Sequence, residues 1–207
     1  MPRLPARKRT SNSMVRSRNI ERGAAVVAAA LVAFSSLLPV TAAPAAQLMR
    51  EEHANLTEAA VAATPLVRGQ TVRAAVALEV EAALHVNANP PTFDYLIPVT
   101  LEIEGPAGVS LAGTFYPDAE QVEFPYADEP LAVYEGTVII GMELVIAADA
   151  PLGSQHLELS VRYQACNDRA CFAPTKATLT LPVTVATEGT DAEQVDSPLL
   201  SQAPFPG

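Results

Sequence analysis

The stretch LELSVRYQ, residues 157–164, gives the clearest indication of how this chain folds. Every second residue is apolar, and the residues between them are Glu, Ser, Arg and Gln. Successive side chains of a β-strand point to opposite faces, so this pattern predicts a strand with one face in a core and the other in solvent. The stretch runs directly into a loop that contains both cysteines of the chain, Cys166 and Cys171.

Short apolar segments with the same period of two recur on both sides of this stretch, separated by turns that contain Gly or Pro. This arrangement predicts an all-β protein with an immunoglobulin-like antiparallel β-sandwich. Pro98 and Pro182 fall inside predicted strands; proline cannot donate to a ladder, so we expect edge positions or bulges there. The other predicted strands are residues 71–84, 96–103, 109–115, 137–147 and 177–185, with a turn at GPAG (105–108).

The predicted domain spans residues 67–187, a length that supports one core but not two. Residues 46–66 precede it as a lead-in segment, either a short helix or a loose stretch. Residues 188–207 are acidic and proline-containing without a period, which predicts a disordered tail.

Residues 1–45 have the features of a secretory signal. A basic region is followed by an apolar run at residues 24–42 and by small residues, with cleavage expected after Ala43 or Ala45. The alternative is an uncleaved anchor, since the run approaches the roughly 20 apolar residues that span a bilayer. Both interpretations predict an exported, periplasmic or otherwise extracytoplasmic protein.

The charge after residue 45 is strongly acidic, with 6 basic and 22 acidic side chains and a formal net charge of −16. Nucleic acid and anionic lipid would be repelled by such a surface, so we expect no nucleic-acid partner, and membrane contact only through an uncleaved leader.

The two cysteines are separated by NDRA, residues 167–170. In an exported protein two cysteines are normally oxidised to each other. Five steps along an extended strand cover roughly 17 Å, whereas the Cα atoms of bridged cysteines lie within about 7 Å. The chain must therefore turn back between Cys166 and Cys171, and Asn167 and Asp168 suit a tight turn.

A bridge at this position would be a weak staple, because closing a six-residue loop contributes only about 2 kcal/mol. Short exposed bridges are also the kind that exchange readily. Arg169 would favour a thiolate while Asp168 would oppose it, so local charge does not decide. The residues alone leave open a structural bridge and an exchanging pair.

We expect no metal site and no cofactor. None of the three histidines, His53, His85 and His156, has a ligand-like spacing to a partner that would complete a zinc site with the cysteines. His85, in LHVNANPP, is the one histidine with a case for a positional role.

The segment YQACNDRACFAP, residues 163–174, with the strands around it, resembles the signature of the N-terminal periplasmic domain of DsbD, the thiol:disulfide interchange protein. HVNANPPTFDYLIPVTLEI (85–103), FYP (115–117) and VYEG (133–136) are similar to segments of the same family. The resemblance covers about residues 70–186. Its signature residues are Tyr163, Gln164, Cys166, Cys171 and Pro174, while Ala173 stands where the family often has a first proline.

The resemblance implies an immunoglobulin-like fold whose cysteine pair cycles between dithiol and disulfide, with Cys166 attacking a partner and Cys171 resolving the intermediate. It implies thioredoxin-like periplasmic partners, including those of cytochrome c biogenesis. It also implies a membrane electron carrier, which we expect to be a separate polypeptide because this chain shows no multi-span region. The family shields its disulfide with an aromatic side chain from an upstream loop. That loop corresponds to residues 123–136, where Phe124 and Tyr126 are both candidates for the cap.

Two functions from different classes follow. The first is an exported thiol:disulfide exchange protein that relays electrons through Cys166 and Cys171. The second is an immunoglobulin-like binding module in which the same bridge is only structural. A reduction potential separates them, since structural bridges typically lie below about −300 mV.

Overall fold

The computed structural model describes residues 52–206, so the predicted leader, residues 1–45, lies outside the described part of the chain. No helix among the described residues is long and apolar enough to cross a membrane. The elements are β1 (Ala54–Val61), β2 (Ala63–Thr64), β3 (Leu66–Val67), β4 (Thr71–Val80), β5 (His85–Asn87), β6 (Thr100–Glu104), β7 (Val109–Phe115), β8 (Glu120–Val122), β9 (Leu131–Tyr134), β10 (Thr137–Ile146), β11 (Gly153–Tyr163), β12 (Ala165–Cys166), β13 (Thr175–Ala186), β14 (Glu193–Gln194) and α1 (Pro198–Gln202).

Two four-stranded sheets share one apolar core. The first has the strand order β1–β4–β10–β7, and the second has the order β3–β13–β11–β6. Neighbouring strands in both are antiparallel, apart from a short parallel contact between β3 and β13. A third sheet, β12–β5–β9–β8, has at its edge the strand that contains Cys166. The predicted all-β, immunoglobulin-like antiparallel sandwich is confirmed.

The alternation of residues 157–164 has the predicted consequence. β11 pairs with β13 along its whole length and with β6 on its other side over residues 158–162, so backbone hydrogen bonds hold this part of the strand on both sides. Its apolar residues fill the core, which removes their side chains from water and stabilises the sandwich. The fully buried residues are Leu157, Leu159, Val161 and Tyr163.

The strand β4 is buried on both faces. Val76 and its period-two neighbours lie in the main core, while Ala75 and Ala77 point to the other side and pack against Leu199 of α1. The helix α1 covers this outer face, which explains the alanines there, because a larger side chain would hold the helix away from the sheet.

The C-terminal segment is ordered, which differs from the predicted disordered tail. After α1, the Phe205 ring packs edge-on against Phe115 and under the Arg73 guanidinium, at 5.7 and 4.9 Å. A Cβ on Gly141 would lie 2.9 Å from the Phe205 ring, so glycine makes room for it. A few apolar residues spaced irregularly in a polar segment show no period, and the pattern therefore failed to reveal this contact.

The segment predicted as a lead-in contains β1, which pairs with β4 at the edge of the first sheet. The pairing shifts register between Leu56 and Glu58, and such a bulge interrupts a period of two. Together with the Ala and Glu content of ANLTEAAV, the bulge made the strand resemble a short helix.

Pro98 and Pro182 were predicted at strand edges or bulges, and residues 105–108 were predicted as a turn. Pro98 precedes β6 and is outside any strand, so the strand predicted at residues 96–103 starts later. Pro182 lies within β13, in a part of that strand not reached by β3, which pairs only with Val185 and Ala186. In the GPAG turn, Gly108 has a φ of +83°, and a Cβ there would lie 2.8 Å from the Cα of Ala150.

Candidate functional site

The cysteine loop is a tight reversal at the end of β11. Cys166 and Cys171 form a disulfide with their Cα atoms 3.9 Å apart, and the two residues also form an antiparallel bridge. The backbone N–H of Asn167 donates to the carbonyl of Ala170 at 3.0 Å, which closes the loop. The predicted turn between the cysteines is therefore present.

The side chain of Asn167 shapes this turn. Its Oδ1 accepts hydrogen bonds from the backbone N–H groups of Arg169 and Ala170, both at 2.9 Å. Short side-chain amides satisfy turn backbones in this way, so NDRA is a sequence suited to bringing two cysteines together.

The two cysteines differ in exposure. Cys166 lies in β12 and is 1% exposed, whereas Cys171 is exposed to solvent. One face of the disulfide is therefore held in the protein, and the other is presented at the surface.

The neighbouring signature residues brace the loop. The Tyr163 hydroxyl is buried, accepts from the N–H of Ala54 and donates to its carbonyl, both at 3.0 Å. Gln164 Nε2 donates to the carbonyl of Phe172 at 3.0 Å, and the N–H of Phe172 donates to the carbonyl of Ala165 at 2.9 Å. Pro174 is half-buried and directly precedes β13.

Both predicted cap candidates lie at this site, joined through His85. In the register of β5 with β12, His85 lies opposite Cys166. Residues opposite each other on antiparallel strands direct their side chains to the same face of the sheet. The Phe124 ring stacks on the His85 ring at 4.1 Å, and the Tyr126 hydroxyl is hydrogen-bonded to His85 Nε2 at 3.1 Å.

The electrostatics agree with this placement. Burial lowers the pKa of His85 below its ordinary value of 6.5, because removing the ring from water disfavours its charged form. The pKa of Tyr126 is raised by burial and by the charge of Asp168, which belongs to the cysteine loop. The charge of the cysteine loop therefore acts on Tyr126.

A second aromatic contact lies on the other side of the loop. The His53 ring packs on the Phe172 ring at 4.0 Å, and His53 Nδ1 is 3.2 Å from a carboxylate oxygen of Glu81. Phe172 follows Cys171 in the chain, so this contact supports the end of the loop that leads into β13. Within residues 52–206, no group of three or more His, Cys, Asp or Glu side chains is placed to hold a metal ion.

A family model described as "Thiol:disulfide interchange protein DsbD, N-terminal" matches residues 53–183, which is more than half of the chain. The chain belongs to this family. Family membership and the disulfide-bonded pair together support thiol:disulfide exchange as its general chemistry.

Solved structures similar to this chain include three from bacteria. The DsbD n-terminal domain of Neisseria meningitidis in the reduced form is 14% identical, with 66% of this chain and 91% of that chain covered and a TM-score of 0.37. The complex of the DsbD and PilB N-terminal domains from the same organism is 11% identical, with 73% of this chain and 95% of that chain covered and a TM-score of 0.39. The N-terminal periplasmic domain of ScsB from Proteus mirabilis is 13% identical, with 63% of this chain and 46% of that chain covered and a TM-score of 0.43. No curated protein gives a match.

The structure shows what the asparagines of the HVNANPP segment, residues 85–91, do. Asn87 Nδ2 donates to the carbonyl of Ile97, and Asn89 Nδ2 donates to the carbonyl of Val99, at 3.2 and 2.9 Å. The two amides hold the loop after β5, and this fixes the strand on which His85 lies opposite Cys166. Sequence analysis gave His85 a positional role but could not find its partners, because Phe124 and Tyr126 are about 40 residues away.

Proposed function

We propose that this chain is an exported electron relay that exchanges disulfides with thioredoxin-like proteins through Cys166 and Cys171. The observation that carries the proposal is a disulfide in a six-residue loop, buried at one cysteine and exposed at the other, in a member of this family. Such a bridge contributes little to stability, so stabilisation alone is a poor reason for its presence.

The relative burial of the cysteines favours the reverse of the predicted order of attack. The family resemblance implies attack by Cys166 and resolution by Cys171. A partner sulfur can approach the exposed Cys171 directly, whereas Cys166 is covered. Thiol–disulfide exchange depends on access to the reacting sulfur, so we assign the partner bond to Cys171 and resolution to Cys166.

The exchange balances as two successive displacements. The Cys171 thiolate attacks one sulfur of a partner disulfide, the partner's S–S bond breaks, and a partner thiolate leaves. The Cys166 thiolate then attacks Cys171 Sγ, the Cys171–partner bond breaks, and the Cys166–Cys171 disulfide forms. Two electrons pass to the partner, and the two protons of this chain's thiols balance those taken up by the partner's thiolates. A second dithiol protein, itself reduced by a separate membrane electron carrier, restores the dithiol by the reverse steps.

The turn that carries Phe124 and Tyr126 serves as the cap in this proposal. A reducing thiolate in an oxidising compartment is lost to nonspecific exchange unless its access is restricted. The contacts of both rings with His85, opposite Cys166, support this role.

Mixed-disulfide trapping with single-cysteine variants tests the proposal. In Cys166→Ala, Cys171 can attack a partner, but nothing resolves the adduct, so a covalent complex with a thioredoxin-fold protein should accumulate. In Cys171→Ala the remaining thiol is the buried one, and much less adduct should form. Adducts formed mainly through Cys166 would restore the order predicted from the sequence. Absence of any thioredoxin-fold protein from the adducts of both variants would leave the bridge a structural one.

A further inference from the structure

The cap rings belong to one β-turn. Phe124 and Tyr126 lie between β8 and β9, in a segment closed by a hydrogen bond from the N–H of Ala127 to the carbonyl of Phe124 at 3.1 Å. Pro125 occupies the second position of this turn, where its fixed φ is suited. The turn holds the two rings stacked on each other, with centroids 5.3 Å apart and planes 15° apart.

His85 contacts this turn in two chemically different ways. Its ring stacks on Phe124 with centroids 4.1 Å apart, and its Nε2 is hydrogen-bonded to the Tyr126 hydroxyl at 3.1 Å. One side chain of β5 therefore engages the first and third residues of the turn. The turn backbone is not part of a regular strand, so side-chain contacts matter for its position.

The position of His85 connects the turn to the redox pair. His85 is 3% exposed and lies opposite Cys166, so one residue pairs with the buried cysteine through its backbone and contacts the aromatic turn through its ring. Tyr126 in contrast is 43% exposed, which leaves one side of the turn available to a docking protein. The Tyr126–His85 hydrogen bond is partly shielded from water, so breaking it without a replacement has a free-energy cost.

We propose that His85 is a positioning residue that clasps the Phe124–Tyr126 turn closed over the cysteine pair and so restricts the access of small thiols. The proposal rests on the proposed function only in taking the cysteine pair to be the exchanging group. In this arrangement the Tyr126–His85 hydrogen bond must break before the turn can move, whereas the ring stack alone would hold it less firmly. A thioredoxin-like partner can open the clasp by binding the exposed side of Tyr126.

The test measures how fast dithiothreitol reduces the Cys166–Cys171 disulfide in the full chain, with new thiols counted by alkylation and mass spectrometry. Tyr126→Phe removes only the hydroxyl, and His85→Phe keeps a ring for Phe124 while removing Nε2. Loss of this part-buried hydrogen bond should raise the reduction rate about fivefold in each variant. The double variant should react no faster than either single variant, because both remove the same bond.

Three controls separate the clasp from general stability. Tyr95→Phe removes a hydroxyl from a tyrosine that is 77% exposed and contacts Phe93, and its rate should equal that of the natural protein. Leu199→Ala weakens the fold at the distant tail, and its rate should also be unchanged. His85→Gln, which keeps an amide for Tyr126 but loses the stack, should react more slowly than His85→Phe.

Three results would overturn the clasp: unchanged rates in both single variants, a double variant whose acceleration is the product of the two singles, or equal acceleration by Leu199→Ala. Exchange with reduced thioredoxin is measured in parallel on the natural protein. If that exchange fails, the proposed relay fails, but the dithiothreitol comparison still decides whether His85 closes the turn.

Discussion

The Tyr163 hydroxyl joins the strand that leads into the cysteine loop to the first strand of the domain. Both the N–H and the carbonyl of Ala54 bond to it, 109 residues away in the chain, and its ring is fully buried. The base of the loop is thereby tied to β1. The apolar face of β11 predicted the burial of Tyr163, but its polar partner could not be predicted, because β1 was not recognised as a strand.

Replacing Tyr163 by phenylalanine should lower the free energy of unfolding by about 1–3 kcal/mol, since two buried backbone groups lose their partner. Urea denaturation of the oxidised protein measures this difference. Tyr95→Phe is the matched control, because its hydroxyl is on an exposed side chain and should change stability by no more than about 0.5 kcal/mol. Equal effects of the two substitutions would contradict the bracing role of Tyr163.

At the residue scale, the cysteine pair and the turn between them could be predicted from the sequence, because both depend on a local pattern. Sequence analysis did not find the His53–Phe172 contact or the His85–Tyr126 hydrogen bond. These contacts join residues from distant strands, and their formation depends on the register between those strands, which local periodicity does not determine.

At the scale of elements, the tail is the main departure from the sequence prediction. β14 pairs with β2, α1 covers the outer face of β4, and Phe205 packs beside Gly141. The apolar outer positions Ala75 and Ala77 were the available signal, because a strand exposed on one side would normally carry polar residues there. Read together with Leu199 and Phe205, they would have indicated that something covers this face.

Leu199→Ala should therefore destabilise the domain by about 2 kcal/mol, because a buried leucine of a small apolar cluster loses its contacts. Leu152→Ala is the control, since Leu152 is exposed, and it should stay within about 0.5 kcal/mol of the natural protein. Chemical denaturation followed by far-UV circular dichroism measures both. A disordered tail would instead make Leu199→Ala as harmless as Leu152→Ala.

On the scale of the whole molecule, the period-two pattern correctly predicted an all-β sandwich and most of its long strands. The two sheets share one core of aliphatic residues with few polar groups, so alternation of apolar side chains carried most of the information. The short strands of the third sheet were not predicted. They have only two to four residues each, too few for a period to be visible, although they place His85 opposite Cys166.

The arrangement places a weakly stabilising disulfide at the edge of a well-packed sandwich. The apolar core does not include the two cysteines, so we expect the sheets to stay intact when the cysteines change oxidation state. A relay requires this independence, whereas a structural bridge would be coupled more strongly to the fold.

The reduction potential of Cys166–Cys171 tests the central claim most directly. The protein is equilibrated with thioredoxin or with glutathione buffers of known potential, and the reduced fraction is measured by alkylation and mass spectrometry. An exchanging pair should give a value between about −300 and −180 mV, within the range of thioredoxins, glutaredoxins and disulfide isomerases. A value below about −300 mV, at which the glutathione pool cannot reduce the bridge, would contradict the relay and identify the disulfide as structural.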